Sequence, residues 1–138
     1  DARVLDLFAG TGALGLEALS RGAAHVTFVD DGRKSHDLLR QNISLCRAQS
    51  DSKVFRSDAR RLGANKGATC DLVFLDPPYG KGLGEQAIAA AIKNGWVAKD
   101  GLIVWEESAV IEVPDSLVLL DQRKYGDTRI SILRATGF

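Results

Sequence analysis

Apolar positions along this chain follow two different periods. Short apolar runs at 3–8, 25–29, 53–55, 72–75 and 101–105 end at glycine or polar residues and read as buried strands. Between them the spacing turns helical. Residues 13–21 carry apolar side chains at 14, 16, 18 and 19, and residues 34–48 carry Leu38, Leu39, Ile43, Leu45 and Cys46 on one face with charges opposite. The alanine-rich segment 85–94 predicts a third helix, residues 58–62 a single helical turn, and residues 63–69 a loop. Residues 117–124 and 128–134 are two further strands around Tyr125-Gly126-Asp127, which reads as a hairpin.

Strands alternating with helices imply an α/β fold: a doubly wound, mostly parallel sheet of seven strands, covered on both faces, with an antiparallel hairpin strand at one edge. Such sheets bind ligands beyond the carboxyl ends of their strands, near the point where strand order reverses. The polar residues of interest all follow strands and belong at that edge.

Asp6-Leu-Phe8-Ala9-Gly10-Thr11-Gly12 ends the first strand and opens the first helix, and Gly10-x-Gly12-x-x-Gly15 has the form of a nucleotide-binding turn. Gly15 has a second reading, close packing of helix on strand. Asp6 and Phe8, two apart, are expected on the same face of the strand. A carboxylate there is a poor neighbour for a pyrophosphate and suits a positively charged ligand. S-adenosylmethionine carries an ammonium and a sulfonium and no phosphate. The rival role for Asp6 is to cap amides of the loop itself.

Asp30, twenty residues after Gly10, ends the second strand, where a carboxylate can accept both hydroxyls of a ribose. Asp31 is the second choice and equally suits a cap for the next helix. Asp58 is placed to accept an adenine amino group while Ala59 offers its amide to the ring; a helix cap is again the rival.

The run 71–75 leads directly into Asp76-Pro77-Pro78-Tyr79. Proline fixes φ and lacks an N–H, so the carbonyls of this turn are rigid acceptors. A carboxylate, stiff carbonyls and an aromatic ring together suit a flat ring bearing an amino group.

The series Asp6–Gly12, Asp30, Ser57-Asp58 and Asp76-Pro77-Pro78-Tyr79 resembles the motifs of class I S-adenosylmethionine-dependent methyltransferases, whose amino-methylating branch carries an Asp/Asn/Ser-Pro-Pro-aromatic turn. Residues 12–23, Asn94-Gly95-Trp96 and Tyr125–Arg129 are more closely similar to the RsmD-type small-subunit (16S) ribosomal RNA (guanine-N2) methyltransferases. The likeness runs essentially the whole length of the chain. It implies a Rossmann-like methyltransferase domain over 1–138, with S-adenosyl-L-methionine as cofactor. Asp6, Phe8, Ala9, Gly10, Thr11, Gly12, Asp30, Asp31, Asp58 and Ala59 would hold the cofactor. Asp76, Pro77, Pro78 and Tyr79 would be catalytic, with Tyr79 stacked on the extruded base and Lys81 on a substrate phosphate. It also implies ribosomal RNA as partner, free or in the assembled small subunit, and a further N-terminal segment. The chain opens almost at once in a strand, which itself suggests a piece of a longer protein.

Composition narrows the alternatives. At 138 residues the chain is one domain, able to bury roughly two-thirds of its extended-chain surface. Its 18 basic and 18 acidic residues cancel, which argues against a non-specific polyanion binder but not against a local basic rim. Arg60, Arg61, Arg123, Lys124 and Arg129 are further candidates for such a rim. Cys46 and Cys70 read as small buried thiols of a cytoplasmic protein, Trp96 and Trp105 as core, and His25 and His36 as structural. No metal site is expected, no apolar run is long enough to span a membrane, and monomer is the default. The competing functions are DNA or RNA adenine-N6 methylation, dinucleotide-dependent oxidoreduction, which leaves Asp76–Tyr79 unused, and non-catalytic cofactor binding.

Overall fold

The computed structural model describes residues 1–137. Its elements in chain order are β1 (Arg3–Leu7), α1 (Ala13–Ser20), β2 (His25–Val29), α2 (Arg33–Leu45), β3 (Ser52–Phe55), β4 (Cys70–Leu75), α3 (Leu83–Lys93), β5 (Val97–Glu107), β6 (Leu117–Tyr125) and β7 (Thr128–Ala135). Single 3-10 turns at Gln49–Asp51 and Ala59–Arg61 complete the connections. The strands form one seven-stranded sheet in the order β3-β2-β1-β4-β5-β7-β6. β1 to β5 pair in parallel, and β7 joins β5 and β6 in antiparallel register.

Alternation along the strands sorts the core into two layers. Val4, Val26 and Phe28 face α2 through Leu39 and Ile43. Leu5, Leu7, Val29, Val73 and Leu75 face the opposite way, where Ala87, Ile88 and Ala91 of α3 pack. Full burial of a side chain such as Leu39 contributes about 1.5–3 kcal/mol. That favours the narrow face of α2 over the wider one the spacing predicts: Leu38 and Leu45 stay exposed. Cys46, expected to be buried, is exposed as well, because it caps the C-terminus of α2 beyond its last contact with the sheet. Cys70, Trp96 and Trp105 are buried as expected.

Two boundaries differ from the spacing for backbone reasons. Phe8 has φ 59, so β1 stops at Leu7 and the alternation fails. Asp6 therefore reaches toward α1 while Phe8 packs with the other layer, and the two do not share a face. β5 begins at Val97 rather than 101; its ladder with β4 shifts between Cys70 and Leu72, and Asp100 takes φ 63 at that irregularity. Among the described residues no helix is long and apolar enough to cross a membrane.

Candidate active site

The chain reverses its direction of travel across the sheet between β1 and β4, which are neighbours with Leu7 opposite Leu75. That register sets Phe8 beside Asp76, so the glycine turn and the Asp76–Tyr79 turn leave adjacent strands at the same edge. Phe8, Asp30, Asp31, Asp76, Pro77, Pro78 and Tyr79 line one open cavity of about 460 Å3 there.

The glycine turn is held by a web of acceptors. The Gly12 amide donates to the Ala9 carbonyl (2.9 Å), and the Ala9 amide to the Val29 carbonyl (3.0 Å). Asp30 bridges two segments, Oδ2 accepting the Gly10 amide and Oδ1 the Gly32 amide, each at 2.8 Å. The exposed Thr11 accepts from the Asn42 side-chain amide through its carbonyl (2.9 Å), which ties the turn to α2. A Cβ on Gly12 would run into Leu39 Cδ1, and one on Gly15 into Phe28 Cε1. Gly15 therefore serves close packing. Gly10 has φ 57 and open space where a Cβ would stand, so a ligand can approach its Cα closely while its amide is held by Asp30.

Asp6 is 1% exposed and its Oδ2 accepts the Gly15 amide at 3.1 Å. Burial pushes its carboxyl up to about 7, against the lowering effect of the Gly15 amide, with Asp76 and Asp30 adding repulsion. In this arrangement Asp6 is a cap for the loop and helix, the rival role considered for it. The cap suggested for Asp31 is not made; Asp31 is exposed at the rim of the cavity, and it is Asp30 that takes the Gly32 amide.

Asp58, Ala59 and Lys81 do not line this cavity. Asp58 caps the 3-10 turn through the Arg60 amide (2.9 Å) and pairs with the Arg60 guanidinium at 2.7 Å. That hydrogen bond holds its carboxyl below the ordinary range. The Ala59 methyl is buried in the core, and Lys81 is exposed. Of the other proposed rim cations, Arg123 pairs with Asp121 at 3.1 Å.

The Asp76–Tyr79 turn rests on two acids that sequence reasoning missed. Tyr79 donates its hydroxyl to Glu106 (3.2 Å), with that oxygen 3.4 Å from the Thr128 hydroxyl, and the residue stays 43% exposed at the cavity mouth. The Gly80 amide donates to Glu107, a carboxylate only 3% exposed, at 3.0 Å. Burial, then repulsion from Glu106 and Glu107, pushes the Asp76 carboxyl up to about 6. The signal was present: Glu106-Glu107 follow an apolar strand just as Asp30-Asp31 do.

The lining contains three carboxylates and no lysine or arginine. Such a set of acceptors fits a ligand that bears positive charge and hydroxyl donors, as S-adenosylmethionine does, and opposes a pyrophosphate.

Residues 1–134 match the family described as conserved hypothetical protein 95. The chain belongs to this family, the RsmD family. One relative, Ribosomal RNA small subunit methyltransferase D of Escherichia coli K12, is 41% identical over 114 residues, which are 83% of this chain and 57% of that protein. The protein of the same name from Haemophilus influenzae is 34% identical over 127 residues, 88% of this chain and 66% of its own length. The chain thus spans little more than half to two-thirds of these family members. Among solved structures, yhhF from Escherichia coli superposes on all of this chain with a TM-score of 0.90 at 36% identity, and 77% of that chain is covered. The family fold is therefore the one seen here, the parallel sheet with its closing antiparallel hairpin included.

Proposed function

We propose that this chain is the catalytic core of an S-adenosylmethionine-dependent methyltransferase acting on the exocyclic N2 amino group of a guanine in small-subunit ribosomal RNA. The observation that carries the reading is the joint placement of Asp30 and Asp76-Pro77-Pro78-Tyr79 on one cavity free of basic side chains. Ribosomal RNA as substrate is supported by the names of the Escherichia coli and Haemophilus influenzae relatives. The choice of guanine N2 rests on the likeness of residues 12–23 and 125–129 described above.

Asp30, with Asp31 at the rim, would accept ribose hydroxyls, and the open backbone at Gly10 would lie along the cofactor. Bound there, the cofactor supplies a methyl group on a sulfonium, open to attack by a nitrogen. The exocyclic amine is a poor nucleophile because its lone pair is shared with the ring. Asp76 and the Pro77 carbonyl each accept one N–H, which turns the lone pair out of conjugation and toward the methyl carbon. The nitrogen that takes the methyl group would become cationic, and Asp76 would accept its proton. A carboxyl near 6 takes that proton more readily than an ordinary aspartate and is still ionised at neutral pH. Tyr79, with its hydroxyl fixed by Glu106, offers a ring on which an extruded base can stack, worth roughly 1–3 kcal/mol.

The test is transfer of labelled methyl to undermethylated small ribosomal subunits, naked 16S RNA and DNA, followed by digestion to nucleosides. Label in N2-methylguanosine is the expected result. Label in N6-methyladenine would replace guanine by adenine, and binding of NAD without binding of S-adenosylmethionine would overturn the reading altogether.

A further inference from the structure

A second cavity, of about 450 Å3, opens over β1, β2 and β3 on the layer that also packs against α3, and its chemistry is the reverse of the first. Arg3, His25, Thr27, Lys53 and Phe55 share the parity of Leu5 and Val29 on β1, β2 and β3, so they lie on the face whose other half α3 covers. Parallel strands in doubly wound sheets are normally apolar on both faces. Here two cations and an imidazole stand where that rule expects aliphatic side chains. The loop 63–68, with Lys66, and Trp96 form the opposite wall.

No carboxylate is part of the lining. The Nε of Arg3 is buried without a hydrogen-bond partner, and Lys53 holds its ammonium 5.0 Å from the centre of the Phe55 ring. Among the described residues, Arg3, Lys53 and Lys66 enter no ion pair. Two acids stand outside the lining: Asp71 accepts the Arg3 backbone amide at 3.0 Å, and Asp51 is near His25. Burial first, then Arg3, holds His25 below its ordinary range, so it presents a neutral imidazole at neutral pH.

We propose that this cavity binds the phosphate of a nucleotide unit, with Arg3, Lys53 and Lys66 as the cationic contacts. A guanidinium N–H left without a partner and two ammonium groups match the acceptor oxygens of a phosphate. The volume lies within the roughly 300–1,000 Å3 of small-ligand sites, which suits one nucleotide and excludes a duplex. A nucleotide of a single RNA strand and a free mononucleotide carry this same chemistry. The inference does not rest on methyl transfer, since none of these residues lines the cavity of Asp30 and Asp76.

The test is titration of the chain with adenosine monophosphate and, separately, with a short oligouridylate. Tryptophan fluorescence reports on Trp96, and imidazole resonances report on His25 with His36 as internal control. Saturable binding is expected, together with an upward move of the His25 titration, because a bound dianion favours the charged ring. Tighter binding of the oligouridylate identifies an RNA strand as the source, and equal or weaker binding a free nucleotide. Replacing the exposed pair by Lys53→Met with Lys66→Met, or Arg3→Gln alone, should weaken binding by about tenfold or more. Absence of saturable binding by either probe, or undiminished binding in the Lys53→Met, Lys66→Met variant, would overturn the proposal. S-adenosylmethionine affinity, measured alongside, should be the same in the variants and the parent. Its absence in the parent would sink the methyl-transfer reading and leave this one standing.

Discussion

The Gly80 amide donates to the buried carboxylate of Glu107 at 3.0 Å, which clamps the end of β5 onto the turn that follows Asp76. Glu107 is thus a positioning residue for the proposed methyl acceptor site. Glu107→Leu keeps the volume but removes the acceptor, leaving a Gly80 amide unpaired at a cost of about 1–3 kcal/mol. We expect methyl transfer about tenfold slower or worse with cofactor affinity little changed. Glu107→Gln retains an acceptor and should restore most of the rate. Equal loss in both variants would point to the charge rather than the clamp.

The Asp76 carboxyl sits at about 6, raised first by burial and then by Glu106 and Glu107. Its acceptor form is the ionised one, so single-turnover methyl transfer should be full above that value and fall as pH drops through it. In Glu107→Gln one of the repelling charges is gone, and the acid limb should move to lower pH. Asp76→Ala should lose on the order of 10²–10⁴ in rate while keeping most cofactor affinity. An acid limb that stays in place in Glu107→Gln would argue against Asp76 as the titrating group.

Asp6 pays for its burial in protons. Its folded value of about 7 lies above the 3.8 of a free aspartate, so the folded chain holds an extra proton between those values. Its contribution to stability therefore falls as pH rises from about 4 to about 7 and then levels off. Asp6→Asn keeps an oxygen for the Gly15 amide and removes the ionisation. At pH 8 the variant should be more stable, by at most about 4 kcal/mol from 1.36 kcal/mol per unit, and the gain should vanish toward pH 4. Denaturant midpoints across this range check the sign.

Gly10 of the turn and Gly15 of α1 should fail differently. Gly15→Ala drives a methyl against Phe28 and Val26 side chains and should lower stability by about 1–3 kcal/mol. Gly10→Ala meets nothing and carries only the left-handed backbone penalty of roughly 1–2 kcal/mol. Its larger effect should be on S-adenosylmethionine binding, read by calorimetry. A Gly10→Ala variant that binds like the parent would remove Gly10 from the cofactor site.

Much of this was legible in residue order. The apolar runs end at Asp30 and Asp76, and the strands they mark are those observed, because a parallel strand buried on both faces needs a continuous apolar segment. The two tryptophans were recognisable as core, as was the packing role open to Gly15. Roles that depend on pairing through space were not. Glu107 shows in the sequence only as an acid after a strand, and only the fold brings the Gly80 amide onto it from 27 residues away. Cys46 lay in a plausible apolar face, but α2 meets the sheet through Leu39 and Ile43 alone.

Sequence by itself determined the element order, the acids at the strand ends and the stiff turn at Pro77-Pro78, since these follow from local spacing and local backbone limits. Tertiary structure alone decided that β1 and β4 are neighbours, which joins Phe8, Asp30 and Asp76 in one acidic cavity. It also decided that Glu106 and Glu107 support the turn and that Arg3 and Lys53 line a basic cavity of opposite character. The physical reason is that burial and electrostatic pairing are set by strand order and register, and neither is a property of any short stretch of chain.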